Sequence, residues 1–399
     1  MPPMNTPEIS PPRATTAPAE GFCIHAVMPN YYDESRVGYS MKSIVDAMAS
    51  PTIRTCSYVL GRGKNVHDAS VSALLPTWLY AYTSKLVRKP CESIVARFRH
   101  RMKQGDVAYL WLSNPPAVTQ ALQRRGLWVV REMINCTLER SREELRHAHR
   151  ILGLPERTTI SDADIAQERA DLLSADAVFC PNEHVYESVM AYGVASDRCL
   201  RTSYGWTEAR IHTHSEPMAK GVGTTFLFVG SGDVRKGFPW VLEAWAQAGA
   251  HGRLLLAGLI EPGIRERYAA ILSRPDVVEL GYVEDIGAVY RSADVFCFPS
   301  WEEGGPMVTI EAMGAGLACI VTPMGSAGLL SESSGAALIV LPGDTAALGN
   351  AMRQMAADDV ARRRMAQRAR DIAADYTWQR VGKRRAEAII SLRLRAVRV

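Results

Sequence analysis

Two glutamates, a lysine and a set of glycines are the residues here whose types and spacing best fit a chemical task. Glu303 and Glu311 lie in the run from Val295 to Gly316. Val295 to Phe298 is an apolar stretch that reads as a buried parallel strand. Pro299 ends it, and Trp301-Glu302-Glu303-Gly304-Gly305 forms a loop at its carboxyl end. Pro306 suits a helix start, because its missing N–H would have no partner there. The helix continues through Met307, Val308 and Glu311 and stops near Gly314 or Gly316. A strand, a glycine loop and a helix in this order aim free amides and the positive helix end at one spot, which favours a phosphate. From Pro306 to Glu311 the helix rises about 7–8 Å. One carboxylate can therefore serve each end of a nucleotide-sugar, with its diphosphate over the amides between.

A second glycine-rich turn, Gly230-Ser231-Gly232-Asp233-Val234-Arg235-Lys236-Gly237, follows the strand-like Thr225–Val229. Arg235 and Lys236 could be an ordinary solvated pair at a helix start. They also meet a chemical need, since negative charge builds on a diphosphate leaving group as its bond to the sugar breaks. Gly281-Tyr282-Val283-Glu284 is a third loop at a strand end.

The string around Glu303 and Glu311 resembles the Glu-x7-Glu signature of the retaining family 4 glycosyltransferases (group 1). Lys236-Gly237 is similar to the end of that family's Gly-Arg-x4-Lys-Gly motif. The resemblance implies an α/β protein of the GT-B type: two Rossmann-like, doubly wound parallel-sheet domains facing across a cleft. It makes Glu303 and Lys236 the catalytic candidates, with Glu303 on the donor sugar and Glu311 on the ribose hydroxyls. Donor binding extends to Gly230, Ser231, Arg235, Tyr282, Val283, Gly304, Gly305, Pro306, Met307 and Val308. Ser231 departs from the pattern, standing where the arginine belongs, and Arg235 is the candidate replacement. Many family members carry a histidine where this chain reads Arg131-Glu132-Met133, so no catalytic histidine is transferred. Gly38, Arg131 and Glu132 are the acceptor-side candidates, with a structural ion pair as the rival reading of the latter two. No cofactor is implied beyond a UDP- or GDP-linked sugar as co-substrate.

Positioning these loops takes a regular alternation of strands and helices, which means parallel doubly wound sheets. At 399 residues the chain suits two domains. Residues 1–20 read as a disordered tail, 21–205 as an acceptor domain, 206–223 as a linker, 224–375 as a donor domain, and 376–399 as a helix crossing back to the first domain. A hydrophobic share of 47% with 22% charged residues excludes a disordered chain, and a net charge of +4 is too small to imply nucleic acid. No apolar run is long enough to span a membrane. Eight scattered cysteines without a C-x-x-C pair favour buried free thiols in a reducing cytoplasm over disulfides or metal. Asp162-Ala163-Asp164 has a metal-binding form but sits at a helix start, where capping is the better reading. His212 and His214 have no third ligand near, so no metal site is expected.

The combined reading is a cytoplasmic, metal-independent, retaining hexosyltransferase, with a cell-surface polysaccharide or glycolipid acceptor. A nucleotide-sugar epimerase of the same fold and a non-catalytic sugar-nucleotide-binding relative are the alternatives. Residues 78–103 add one expectation. Trp78, Leu79, Tyr80 and Tyr82 precede Lys85, Arg88, Lys89, Arg97, Arg99, Arg101 and Lys103, with Glu92 the one acid. Such a segment can place the protein peripherally on an anionic membrane facing a lipid-linked saccharide, although a solvated basic helix beside a buried aromatic patch fits the same residues.

Overall fold

The computed structural model describes residues 21–32, 36–63, 68–112, 114–156, 159–219 and 221–397. The tail expected over 1–20 lies outside them, as do Asp33, Glu34 and Ser35 of the first loop and the side chain of Tyr82.

Seven strands build the first sheet: β1 (Phe22–Tyr32), β2 (Ile53–Arg62), β3 (Val71–Ala73), β4 (Val107–Leu110), β5 (Trp128–Glu132), β6 (Ala177–Cys180) and β7 (Cys199–Arg201). Their order is β3-β2-β1-β4-β5-β6-β7, and every pairing is parallel. Six more build the second: β8 (Thr224–Val229), β9 (Gly252–Ala257), β10 (Val277–Gly281), β11 (Val295–Phe298), β12 (Ala318–Val321) and β13 (Ala337–Ile339). Here the order is β10-β9-β8-β11-β12-β13, again all parallel. Both are doubly wound, and in the second the direction of winding reverses between β8 and β11. Loops leaving two strands on either side of such a reversal diverge and open a ligand-binding crevice. The two motif loops, 230–237 and 299–306, are those leaving β8 and β11.

Burial explains why β11 lacks the alternation of a half-exposed strand. Val295, Phe296, Cys297 and Phe298 are all fully buried. Phe296 and Phe298 stack with ring centroids 5.7 Å apart, and the helix Phe238–Ala248 lays buried Phe238, Trp240 and Trp245 in the same core. Three-residue β3 was not anticipated. It is an edge strand, too short for a periodic signal. Ser161, rather than an aspartate, caps the helix Asp162–Ser174, with Asp164 bonding back to the Ser161 amide in a capping box. Asp162 pairs instead with Arg142 at 2.7 Å.

Two crossings between the sheets run side by side. Trp206, just after the first sheet, pairs with Thr377 as a parallel bridge, and its indole donates to the Ala373 carbonyl at 2.8 Å. Beyond Thr377 the helix Trp378–Val397 returns to the first sheet, so close to the helix Arg36–Ala47 that a Cβ on Gly382 would lie 2.4 Å from that of Ala47. Arg385 of the returning helix is buried and forks onto Glu132 of β5 at 2.6 and 3.1 Å, also reaching the Tyr109 hydroxyl and the Ser203 carbonyl. Burial works against the guanidinium charge, and Glu132 more than offsets it.

Breaking a buried pair leaves an uncompensated charge, which typically costs about 3–5 kcal/mol, whereas replacing both partners by apolar groups is often close to neutral. Arg385→Met should therefore lower unfolding free energy by about that amount in denaturant titrations, and Arg385→Met with Glu132→Leu should regain most of it. Equal losses in the single and double variants would show that this pair does not hold the last helix.

Candidate functional site

Lys236 and Glu303 meet across the reversal point of the second sheet, the ammonium in direct ionic contact with Oε1 of the carboxylate. Gly237 makes this possible. Its φ is +71°, and a Cβ there would sit 2.0 Å from the Pro299 carbonyl oxygen, so no other residue lets loop 230–237 lie against loop 299–306. Arg235 comes from the same turn and lies 3.4 Å from Glu302 and 3.7 Å from Glu303. Burial opposes its charge, but Glu303 and Glu302 outweigh that and hold its pKa above the ordinary arginine value. The guanidinium thus works beside the two glutamates, while Ser231 is exposed and its hydroxyl turns to Asp233. Gly230 closes β8 at the same edge.

Glu311 stands on the buried side of the helix Met307–Gly314 and is 3% exposed. Arg210 reaches Oε1 at 2.7 Å, and the Tyr290 hydroxyl donates to Oε2 at 3.1 Å. Burial pushes this carboxyl above its usual range, against the pull of Arg210. Arg210 belongs to the short helix Glu208–Ile211, inside the stretch read as linker. A lone arginine in a four-residue helix carries no periodic signal, so its partnership was invisible in the chain. Pro306 precedes the helix at the cap position, Met307 accepts a 3.0 Å contact from the Ser40 hydroxyl, and the Val308 carbonyl accepts from Tyr290. Tyr282 and Val283 follow β10 at the same edge of the sheet. Tyr282 is 70% exposed and Val283 partly buried.

The loop carrying Glu302 to Gly305 is also the seam with the first sheet. Glu302 accepts from the Cys136 amide at 3.1 Å, and the Asn182 amide donates to the Gly304 carbonyl. A Cβ on Gly304 would lie 2.0 Å from the Ile134 carbonyl oxygen, and one on Gly305 would strike the Tyr204 ring. Cys136 and Asn182 follow β5 and β6, so the carboxyl ends of both sheets converge here. Glu302 was not singled out in the sequence, yet it is the more buried of the adjacent glutamates, at 1% against 5%. Burial raises its pKa, with Arg235 acting the other way.

The acceptor-side candidates are not gathered at this seam. Arg131 is buried, pairing with Asp171 at 2.8 Å and donating to the Leu110 carbonyl. Glu132 is consumed by Arg385. The structural ion pair is thus what both residues make, and both side chains are buried. Gly38 is buried in its helix, where a Cβ would meet the Tyr32 ring at 2.8 Å, so its small size serves packing. The basic segment is exposed at Lys85, Arg88, Lys89, Arg97, Arg99, Arg101 and Lys103, with Trp78 and Leu86 71% and 74% exposed. Tyr80, however, packs tilted against Tyr31 with ring centroids 4.6 Å apart, so the aromatic residues do not form one continuous exposed belt.

Comparison with known proteins agrees with this geometry. Residues 223–358 match the family described as glycosyl transferases group 1. The D-inositol 3-phosphate glycosyltransferase of Corynebacterium urealyticum is 31% identical over 109 residues, 27% of this chain and only 26% of that enzyme's length. The phosphatidyl-myo-inositol mannosyltransferase of Mycobacterium leprae is 26% identical over 359 residues, 83% of each chain. Among solved structures, Anabaena HepE in complex with UDP and glucose superposes with a TM-score of 0.70 at 15% identity, covering 93% of this chain and 100% of that one. The fold is GT-B, and residues 223–358, the second domain, are similar to the group 1 glycosyltransferases.

Gly304→Ala tests the seam. The added methyl must push the two backbones apart, breaking the Cys136–Glu302 and Asn182–Gly304 bonds, each worth about 0.5–1.5 kcal/mol net. Hydrogen exchange at the Cys136 amide should speed up while exchange within β11 stays slow. Unchanged protection of Cys136 would mean that Gly304 is not what brings the loops together.

Proposed function

We propose that the protein is a retaining glycosyltransferase that moves a sugar from a nucleotide diphospho-sugar to a saccharide or lipid-linked saccharide. The observation carrying this is the convergence of Lys236, Arg235 and Glu303 at the reversal point of the second sheet, with Glu311 at the far side of the intervening helix start. A diphosphate placed over the first turn of Met307–Gly314 receives the positive helix end and two side-chain cations. Glu303 then faces the sugar, and Glu311 with Arg210 and Tyr290 faces the ribose. UDP in HepE supports a nucleotide donor of this class. Departing phosphate oxygen, held by Lys236 and Arg235, can take the proton from an acceptor attacking on the same face. Anomeric configuration is then retained without a carboxylate nucleophile, and Glu303 acts by positioning the sugar. The epimerase alternative needs acid–base carboxylates and a histidine in the first domain, and the Glu132 carboxylate is already held by Arg385.

Lys236→Ala and Glu311→Ala should each weaken nucleotide-sugar binding by roughly 1.5–3 kcal/mol, the range for hydrogen bonds to charged groups, and weaken free nucleoside diphosphate as well. Glu303→Ala should weaken the sugar donor and spare the free diphosphate. Equal loss for both ligands in isothermal titration would remove Glu303 from the sugar end. Transfer should also continue when a chelator is added to the assay, because cations of the chain meet the phosphate charge. An obligatory Mg2+ or Mn2+ would contradict the mechanism.

The same reading places the first domain on an anionic membrane surface through residues 78–103, where Trp78 and Leu86 project among exposed basic residues. No described helix is long and apolar enough to cross a membrane. Each basic residue near an anionic leaflet contributes about 1 kcal/mol, and salt screens it. In flotation assays the protein should bind anionic vesicles at low salt and leave them at high salt. Replacing Arg97, Arg99, Arg101 and Lys103 with glutamine should abolish binding without altering donor affinity. Indifference to anionic vesicles at low salt would make the acceptor a soluble one.

A further inference from the structure

Two cysteines and a histidine converge near the amino ends of two adjacent strands of the first sheet, away from the seam at its carboxyl ends. Cys23 and His25 are on β1 and Cys56 is on β2, whose register sets His25 beside Cys56. Their side chains emerge on one face, with Cys23 Sγ 3.9 Å from Cys56 Sγ and 3.9 Å from His25 Nδ1. All three ligand atoms lie within 4.8 Å of one another. Zinc bonds of about 2.3 Å to sulfur and about 2.0 Å to nitrogen set the edges of a tetrahedron at roughly 3.5–3.8 Å. The three atoms therefore already outline one face of such a site.

The surroundings of His25 point the same way. Its Nε2 lies 3.0 Å from Asp106 Oδ2, and Asp106 is itself fixed by the amides of Cys23 at 2.9 Å and Lys103 at 2.8 Å. A carboxylate at Nε2 accepts that ring N–H, so Nδ1 carries the lone pair and faces the sulfurs. A carboxylate on the far nitrogen is the arrangement that usually orients a metal-bound imidazole. Nδ1 also has the Tyr58 hydroxyl at 3.2 Å, a weaker partner that a metal would displace. Cys23, His25 and Asp106 are buried while Cys56 is partly open, which gives an entry route.

We propose that Cys23, His25 and Cys56 form a three-ligand site, open at its fourth position, for a zinc-class divalent cation, oriented by Asp106. Two thiolates and a neutral imidazole make the filled site electrically neutral. Binding releases the two thiol protons to solvent, and water entering past Cys56 takes the fourth corner. No oxidant or reductant is involved. The cation pins the starts of β1 and β2 together and has no part in sugar transfer, so the site stands or falls independently of the donor assignment.

Elemental analysis of the wild-type full chain, purified with zinc and dialysed against metal-free buffer, should find about one zinc per chain. Cobalt in its place should show sulfur-to-cobalt charge-transfer absorption. Cys23→Ser and Cys56→Ser should each lose the metal, and Cys180→Ser should keep it. Asp106→Asn should keep it with roughly 10–100-fold weaker affinity in competition with a chromophoric chelator. Stripping the zinc should lower the thermal midpoint while leaving nucleotide binding unchanged. Trace metal in the wild type, retention in both cysteine variants, or a Cys23–Cys56 disulfide in peptide maps of the zinc-supplemented protein would each overturn the proposal, and the first and last need no variant to fold.

Discussion

Charge compensation at a water-poor seam governs this molecule. Glu302, Glu303 and Glu311 are each no more than 5% exposed, and a carboxylate so placed is costly unless a cation and hydrogen bonds replace its water. Arg235, Lys236 and Arg210 supply the cations, two from the loop leaving β8 on one side of the reversal in strand order and one from the connection between sheets. Much of the local backbone follows from that requirement. Gly237 has a left-handed φ so that Lys236 can reach Glu303, and Gly304 lacks a side chain so that Glu302 can reach the Cys136 amide. Lys236 and Arg235 neutralise the loop and are also the groups a diphosphate would seek, so a donor would exchange partners with charges already fixed in place.

Strand-ending prolines, apolar runs and glycine loops marked the parallel sheets directly, because a strand covered on both faces leaves a contiguous apolar stretch such as Val295–Phe298. The motif loops were equally plain, since glycine positions and charge types survive in linear order. Pairings across long separations were not. Arg210 with Glu311, Arg385 with Glu132 and Arg131 with Asp171 join residues whose partners no spacing rule connects. Arg131 and Glu132 were acceptor candidates because they stand where many members of the resembled family carry a histidine. In this chain each found its counterion under a helix instead. The single glycine at 38 has a second explanation that spacing does not show, as contact with Tyr32 requires smallness as much as a ligand would.

The cysteines show the same limit. Scattered in sequence, they gave no metal pattern, yet parallel pairing brings Cys23, His25 and Cys56 together from positions 33 residues apart at the extremes. Spacing motifs find ligands that share one loop or helix. Ligands shared between neighbouring strands appear only once the register is known.

The buried fork between Arg385 and Glu132 has a consequence for the order in which the chain acquires its shape. A ribosome releases Glu132 and the whole first sheet long before residue 385 exists. Until then that sheet holds a carboxylate in its interior without a cation. Its final closure must therefore wait for the second domain to be made and for the last helix to come back. The polypeptide is threaded as two domains but matures as one, with the helix Trp378–Val397 supplying the latch for the first sheet.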